Sequence, residues 1–225
     1  MIYSVINQTR SLFDSVAVYF SCGKDSIVTL DLCCKNFKHV TAFFMYLVEG
    51  LSFQEQYISM CERKYGITIY RIPHWQLSNF YQTSTYRPDS KKSIKTPTVK
   101  ISDVDYFIRN TVNVLWIASG EKACDSVERN GMIRSCHGID IKRNRFYPIA
   151  YFTDPVIYNY MKINRLPLPP DYGLFGRSFG RLHEEELFGI KSKYPEDYNK
   201  IIKVFPYAES AIKRAEYRSI PLSEV

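Results

Sequence analysis

The sequence predicts an α/β protein: a three-layer sandwich whose mostly parallel sheet is covered by helices on both faces, with a helical tail at the C-terminus. Short β-branched and aromatic runs alternate with stretches of helical apolar spacing through most of the chain. The 225 residues are 45% hydrophobic, enough for one well-buried core with a small appendage. After about Gly176 no further strand-like run occurs.

Taken in order, Val16 to Phe20 is a buried strand, and Asp25 to Lys35 carries Ile27, Val28, Leu30 and Leu32 at helical spacing. His39 to Val48 is a second strand. Phe53 to Tyr65 is a helix closed by Gly66, and Ile67 to Ile72 a third strand stopped by Pro73. Tyr81 to Thr98 holds two prolines and several Lys, Ser and Thr without apolar periodicity, which predicts an exposed loop or a mobile flap. Ser102 caps a helix bearing Val104, Phe107, Ile108 and Val112, and Val114 to Ala118 supplies another strand. Phe146 to Ile149 is a last short strand. Thr153-Asp154-Pro155 begins a helix that runs toward Asn164 and is ended by the prolines at 167, 169 and 170. The expected division is a domain at 1–175 and a helical extension at 176–225 packed on it.

Lys and Arg number 30 against 23 Asp and Glu, and the net charge of +7 favours anionic partners such as nucleotides, nucleic acid or sulfated compounds. The basic residues are scattered, so charge alone does not select nucleic acid. The six cysteines include no CxxC pair, which fits a reducing cytoplasm better than a disulfide framework. No apolar run has the length of a signal-peptide core or a membrane span, so no membrane association is expected. His74 and His137 have no Cys or His partner at zinc spacing and are read as core or solvated histidines.

Ser21-Cys22-Gly23-Lys24-Asp25-Ser26 lies between the first strand and an amphipathic helix. A helix N-terminus there offers unpaired amides and a positive dipole end to an anion. Ser21 and Ser26 supply hydroxyls, Gly23 close backbone approach, Lys24 positive charge, and Asp25 a ligand for a divalent cation. The spacing is not that of a Walker A loop. A second group, Gly120 to Arg129, leaves a later strand at the same sheet edge. Its Asp125 and Arg129, four apart, also suit a plain helix ion pair.

Val16 to Ser26 resembles the SGGKDS loop of the PP-loop ATP pyrophosphatases, in particular their phosphoadenosine phosphosulfate reductase-like branch. Gly120 to Arg129 is similar to that family's G-x-R-x-x-D-S-x-x-R element, with Lys122 in place of Arg. The resemblance covers residues 14–180. It implies an adenine nucleotide alpha hydrolase-like fold and nucleotide binding by Ser21, Cys22, Gly23, Lys24, Asp25, Ser26, Gly120, Lys122, Asp125, Ser126 and Arg129. Lys24 and Arg129 take the catalytic role, and Asp25 holds magnesium. Cys22 stands where the family has Gly; it is either a packing substitution or a thiol activated at a helix N-terminus. Glu49 follows the second strand where the family places an acidic residue near ribose or metal. Glu184 to Glu186 are read as a solvated helix start, flanked by Arg177 and Arg181 within reach of an anionic substrate.

The activity implied is cleavage of ATP, with magnesium, between the α and β phosphates, adenylating an acceptor and releasing pyrophosphate within sulfur transfer or nucleic-acid modification. Reductases of the family carry a cysteine in a C-terminal tail, and none follows Cys136. Two alternatives stand beside this one: a sulfonucleotide-binding or reductase-like protein, and a non-catalytic nucleotide-binding subunit acting with nucleic acid or a nucleic-acid-processing partner. A homo-oligomer or a place in a larger complex is expected.

Overall fold

The computed structural model describes residues 3–89 and 95–218, with side chains described to 214. The strands are β1 (Ser15–Tyr19), β2 (His39–Tyr46), β3 (Ile69–Pro73), β4 (Ile117–Ala118), β5 (Ile139–Asp140) and β6 (Arg145–Phe146). They form one sheet in the order β3-β2-β1-β4-β6-β5, parallel throughout except for β5, which runs antiparallel to β6. The helices of the core are α1 (Ser4–Thr9), α2 (Lys24–Asn36), α3 (Ser52–Tyr65), α4 (Leu77–Gln82), α5 (Ile101–Val112), α6 (Val127–Ser135) and α7 (Asp154–Ile163). Beyond them come α8 (Tyr172–Phe175), α9 (Glu184–Lys193), α10 (Pro195–Val204), a 3-10 turn at Pro206–Ala208, and α11 (Glu209–Arg218).

The two-residue period of the strands divides the core. Val16, Val18, Ala42 and Phe44 face the larger cluster, which contains α2, α3 and α7, whereas Ala17, Phe43 and Ile117 face Val104 and Ile108 of α5. Helices therefore lie on both faces, as a parallel sheet requires. The carboxyl ends of β1 and β4, neighbours in the sheet, bring their exit loops together, at the point where strand order changes direction.

Several elements are shorter than expected. The Val114 to Ala118 strand is reduced to β4, and the Phe146 to Ile149 strand to β6, after which residues 148–151 turn out of the sheet. The helix expected to be capped by Ser102 is capped two residues earlier, at Lys100, whose amide donates to Asp103 Oδ2 at 2.8 Å. Tyr81 and Gln82 belong to α4, and the loop's far end is tied back by Val99 N donating to Ser78 Oγ at 3.0 Å. Residues 90–94 of that loop, and 219–225 of the tail, lie outside the described residues. Among the described residues no helix is long and apolar enough to cross a membrane.

The C-terminal helices bury a second apolar cluster, in which Leu187, Ile190, Ile201 and Phe205 meet Val48, Leu51 and Phe53. They also finish α3. Leu51 at its N-terminus has no side-chain oxygen, and the fully buried Asp197 of α10 takes that role, accepting from Ser52 N at 2.7 Å and Ser52 Oγ at 2.6 Å.

Candidate nucleotide site

The loop from β1 to α2 turns at Cys22, whose φ of 58° is left-handed. That is where the PP-loop pattern has Gly, and the conformation explains the preference. The Cys22 side chain is buried among core residues, and burial pushes its thiol well above the usual range. The packing reading of Cys22 therefore replaces the reactive-thiol one. Gly23 needs its missing side chain for space: a Cβ would meet Ser178 Oγ at 3.2 Å and Ser21 Oγ at 3.4 Å. Ser26 Oγ closes the loop, donating to Gly23 O at 2.9 Å and accepting from Gly23 N at 3.0 Å.

The second loop is held against this one at Gly120, where a Cβ would meet Thr29 Oγ1 at 3.2 Å and the Asp25 carbonyl at 3.4 Å. The approach brings Lys122 beneath the first turn of α2. Its ammonium, 1% exposed, lies 2.7 Å from Asp25 Oδ1, 3.1 Å from Asp125 Oδ1 and 3.2 Å from Asp154 Oδ1. Lys24 Nζ meets Asp154 Oδ1 at 2.9 Å and Asp25 Oδ2 at 3.1 Å, and Arg129 meets Asp125 Oδ2 at 3.0 Å. Burial pulls the Lys122 ammonium downward, but the three carboxylates outweigh it and hold its pKa above the usual lysine range. Lys24 shows the same balance, and hydrogen bonds from Lys24 and Lys122 hold Asp154 below the carboxylate norm.

In front of this cluster lies a cavity of about 550 Å³, lined on its polar side by Ser21, Asp25, Ser26, Gly120, Asp125 and Arg129, and on its apolar side by Met45, Trp75 and Ile101. Cys22, Gly23, Lys24, Lys122 and Ser126 do not line it. The two lysines stand behind the aspartates, and Ser126 Oγ is spent capping α6 by accepting from Arg129 N at 3.2 Å. Asp25, read as a magnesium ligand, has both carboxylate oxygens engaged by ammonium groups. Among the described residues no group of three His, Cys, Asp or Glu side chains is arranged to hold a metal ion.

Four features escape sequence reasoning. Asp154 reads only as a helix start, yet it bridges the two lysines. Arg145, nearly buried, pairs with Asp105 Oδ1 at 2.5 Å, shares it with Tyr19 Oη at 2.6 Å, and leaves its Nε without a partner at the cavity's edge. Tyr172 Oη accepts from the Lys24 amide at 3.3 Å, over the start of α2. Asp171 anchors that segment by accepting from Phe179 N at 2.6 Å, while its buried Oδ1 has no partner; burial foremost raises its pKa to about 6. No sequence spacing joins these residues to the two loops. Glu186, expected in a solvated cluster, is instead fully buried, accepting from Arg177 Nε at 2.9 Å and Arg181 N at 3.1 Å. Arg177 is thereby committed to structure.

Among solved structures, the phosphoadenylyl-sulfate reductase of Candida auris, in a phosphate complex, matches with a TM-score of 0.54 at 15% identity, covering 79% of this chain and 86% of that one. The U34-tRNA thiolase NcsA of Methanococcus maripaludis, solved with its 4Fe–4S cluster, matches with a TM-score of 0.51 at 15% identity, covering 90% of this chain and 78% of that one. At these identities the likeness is one of fold. No curated protein matches the chain by sequence. Residues 15–186, most of the sequence, match the phosphoadenosine phosphosulfate reductase domain, and the chain belongs to that family.

Proposed function

We propose that this protein binds ATP with its phosphates against Ser21 to Ser26 and transfers the adenylyl group to an acceptor. The observation that carries the reading is the convergence of Lys24, Lys122 and Arg129 on the exit loops of two adjacent parallel strands, at the N-terminus of α2. There the amides of Asp25 and Ser26 stand at helix positions that have no internal acceptor.

An anionic acceptor oxygen, such as a carboxylate, attacks the α-phosphorus, the bond from that phosphorus to the α,β-bridging oxygen breaks, and pyrophosphate leaves with the electron pair. Lys24 and Arg129 stabilise the charge that gathers on the leaving group. In doing so each exchanges a carboxylate partner for phosphate oxygens, and the carboxylates keep both cations in place until then. Asp25 would offer a ligand to a magnesium ion carried by the nucleotide once a lysine had exchanged it for phosphate, and the ion would neutralise phosphate charge. The cysteines do not suit an iron–sulfur cluster, because no three of them stand together and Cys22 and Cys33 are buried in the apolar core.

Calorimetric titration with magnesium ATP, followed by assay of pyrophosphate release in the presence of a low-molecular-weight cell extract as acceptor source, tests the reading. Both signals are expected, and both are lost in Lys24→Ala. Normal turnover by that variant overturns the assignment. The family match supports one alternative, a sulfonucleotide ligand. Tight binding of adenosine bisphosphate with no binding of ATP decides for it.

A further inference from the structure

A second cavity, of about 620 Å³, opens beside the nucleotide cavity and shares His74 and Trp75 with it as a common wall. It lies where the loop after β2 and the end of β3 meet α4 and α5. Its volume is that of a pocket for one drug-sized molecule. Its walls differ in character from those of its neighbour. Tyr46, Trp75, Tyr81 and Phe107 supply aromatic surface, and Leu47, Ile72 and Val104 aliphatic surface. Among the described lining residues the formally charged ones are Glu49 and Asp103, both acidic.

The two carboxylates are not equivalent. Asp103 is used in capping α5, where it accepts from the Lys100 amide at 2.8 Å. Glu49 is exposed at the rim and makes no hydrogen bond or ion pair with another described residue. His74 adds no positive charge near neutral pH, because burial lowers its pKa, and its Nδ1 accepts from Gln76 N at 3.2 Å. An anion entering here would meet apolar walls and a like charge; a cation would meet Glu49 and aromatic faces.

We propose that this cavity receives the second substrate, an aromatic molecule that carries the acceptor oxygen and a positively charged group, seated across the Trp75 wall from the nucleotide. The inference rests on the adenylyl-transfer reading for its role, while the binding it describes is measurable without turnover. It deepens that reading because the described walls favour a cation over nucleic acid and other polyanions at the acceptor position, even though the chain is basic overall.

The test uses two probes with one ring system and opposite charge, tryptamine and indole-3-acetate, followed by saturation-transfer NMR on the full chain with and without saturating magnesium ATP. Tryptamine is expected to bind at least tenfold more tightly than indole-3-acetate, and ATP is expected not to displace it. Glu49→Lys is expected to reverse the preference while magnesium ATP still binds; loss of ATP binding in this variant would place Glu49 on the nucleotide, as the family resemblance implies, and overturn the proposal. Competitive displacement of tryptamine by ATP overturns the proposal, because the cavity is then the nucleotide's own. Equal affinity for the two probes, or no binding of either, also overturns it. If tryptamine binds with the stated preference while ATP does not bind at all, the cavity's selectivity stands and the adenylyl-transfer reading fails.

Discussion

The ammonium of Lys122 and the carboxylate of Asp25 lie 2.7 Å apart, one from the loop after β4 and the other from the first turn of α2. Their contact is the join between the two loops, because Lys122 is closed off from solvent while Asp25 borders the cavity. Lys122→Met keeps most of the side-chain length and removes the charge, leaving three aspartates with Lys24 and Arg129 to balance them. The partial exposure of the aspartates lets water moderate their repulsion, so the expected loss of stability is about 2 kcal/mol, below the range for a fully buried pair. Chemical denaturation checks the stability, and nucleotide binding is expected to disappear with the charge. An unchanged denaturation midpoint would show that the cluster is not under tension.

On the ATP-binding reading, Tyr172 occupies a donor that a phosphate oxygen would otherwise use, the Lys24 amide. Tyr172→Phe frees it. The hydrogen bond it removes is worth about 1 kcal/mol, so nucleotide affinity is expected to rise about fivefold, measured by calorimetry. A fall in affinity would mean that the hydroxyl contacts the nucleotide.

Asp171 makes stability depend on pH. Its folded pKa, near 6, lies above its ordinary value of 3.8, so the native state holds a proton that the unfolded chain has released between those values. Its contribution is complete below pH 3.8 and is lost as pH rises through about 6, by an amount on the order of 3 kcal/mol. Asp171→Asn keeps an acceptor for Phe179 N and cannot ionise. Its melting temperature is expected to exceed the parent's by several degrees at pH 7.5 and to equal it at pH 4. Parallel pH profiles for the two proteins would refute this.

The thiols should separate by burial. Cys124 is exposed, whereas Cys22 and Cys33 are buried, and burial pushes Cys61 up to about 12. A disulfide-exchange reagent is expected to modify Cys124 first, with a fast phase that vanishes in Cys124→Ser. Cys22 and Cys33 are expected to react only after denaturation. Fast labelling of Cys22 in the native protein would restore the reactive-thiol reading.

The parts of the molecule legible in the sequence are those that local pattern determines. β1 and α2 announce themselves by the change from a two-residue to a helical period around Ser21, and Gly66 closes α3 in the left-handed conformation expected of it. The bounds of the short strands β4 and β6 are set by pairing with a neighbour and not by either strand's own run. Within the candidate site the pattern identified which residues gather but not which of them face the cavity. Lys24 and Lys122 do not line the cavity; both pair with Asp25 and Asp154. Asp154, Arg145 and Tyr172 come from distant segments, and only the packing of the chain brings them in.

The cap that Asp197 places on α3 has a bearing on the order in which the chain can fold during synthesis. A nascent chain long enough to hold the whole sheet still presents the α3 amides uncapped and Val48, Leu51 and Phe53 uncovered, because their partners are made last. The N-terminal three quarters therefore waits for the final helices before its fold is complete. Truncation before α10 should yield an aggregation-prone chain, not a smaller working domain.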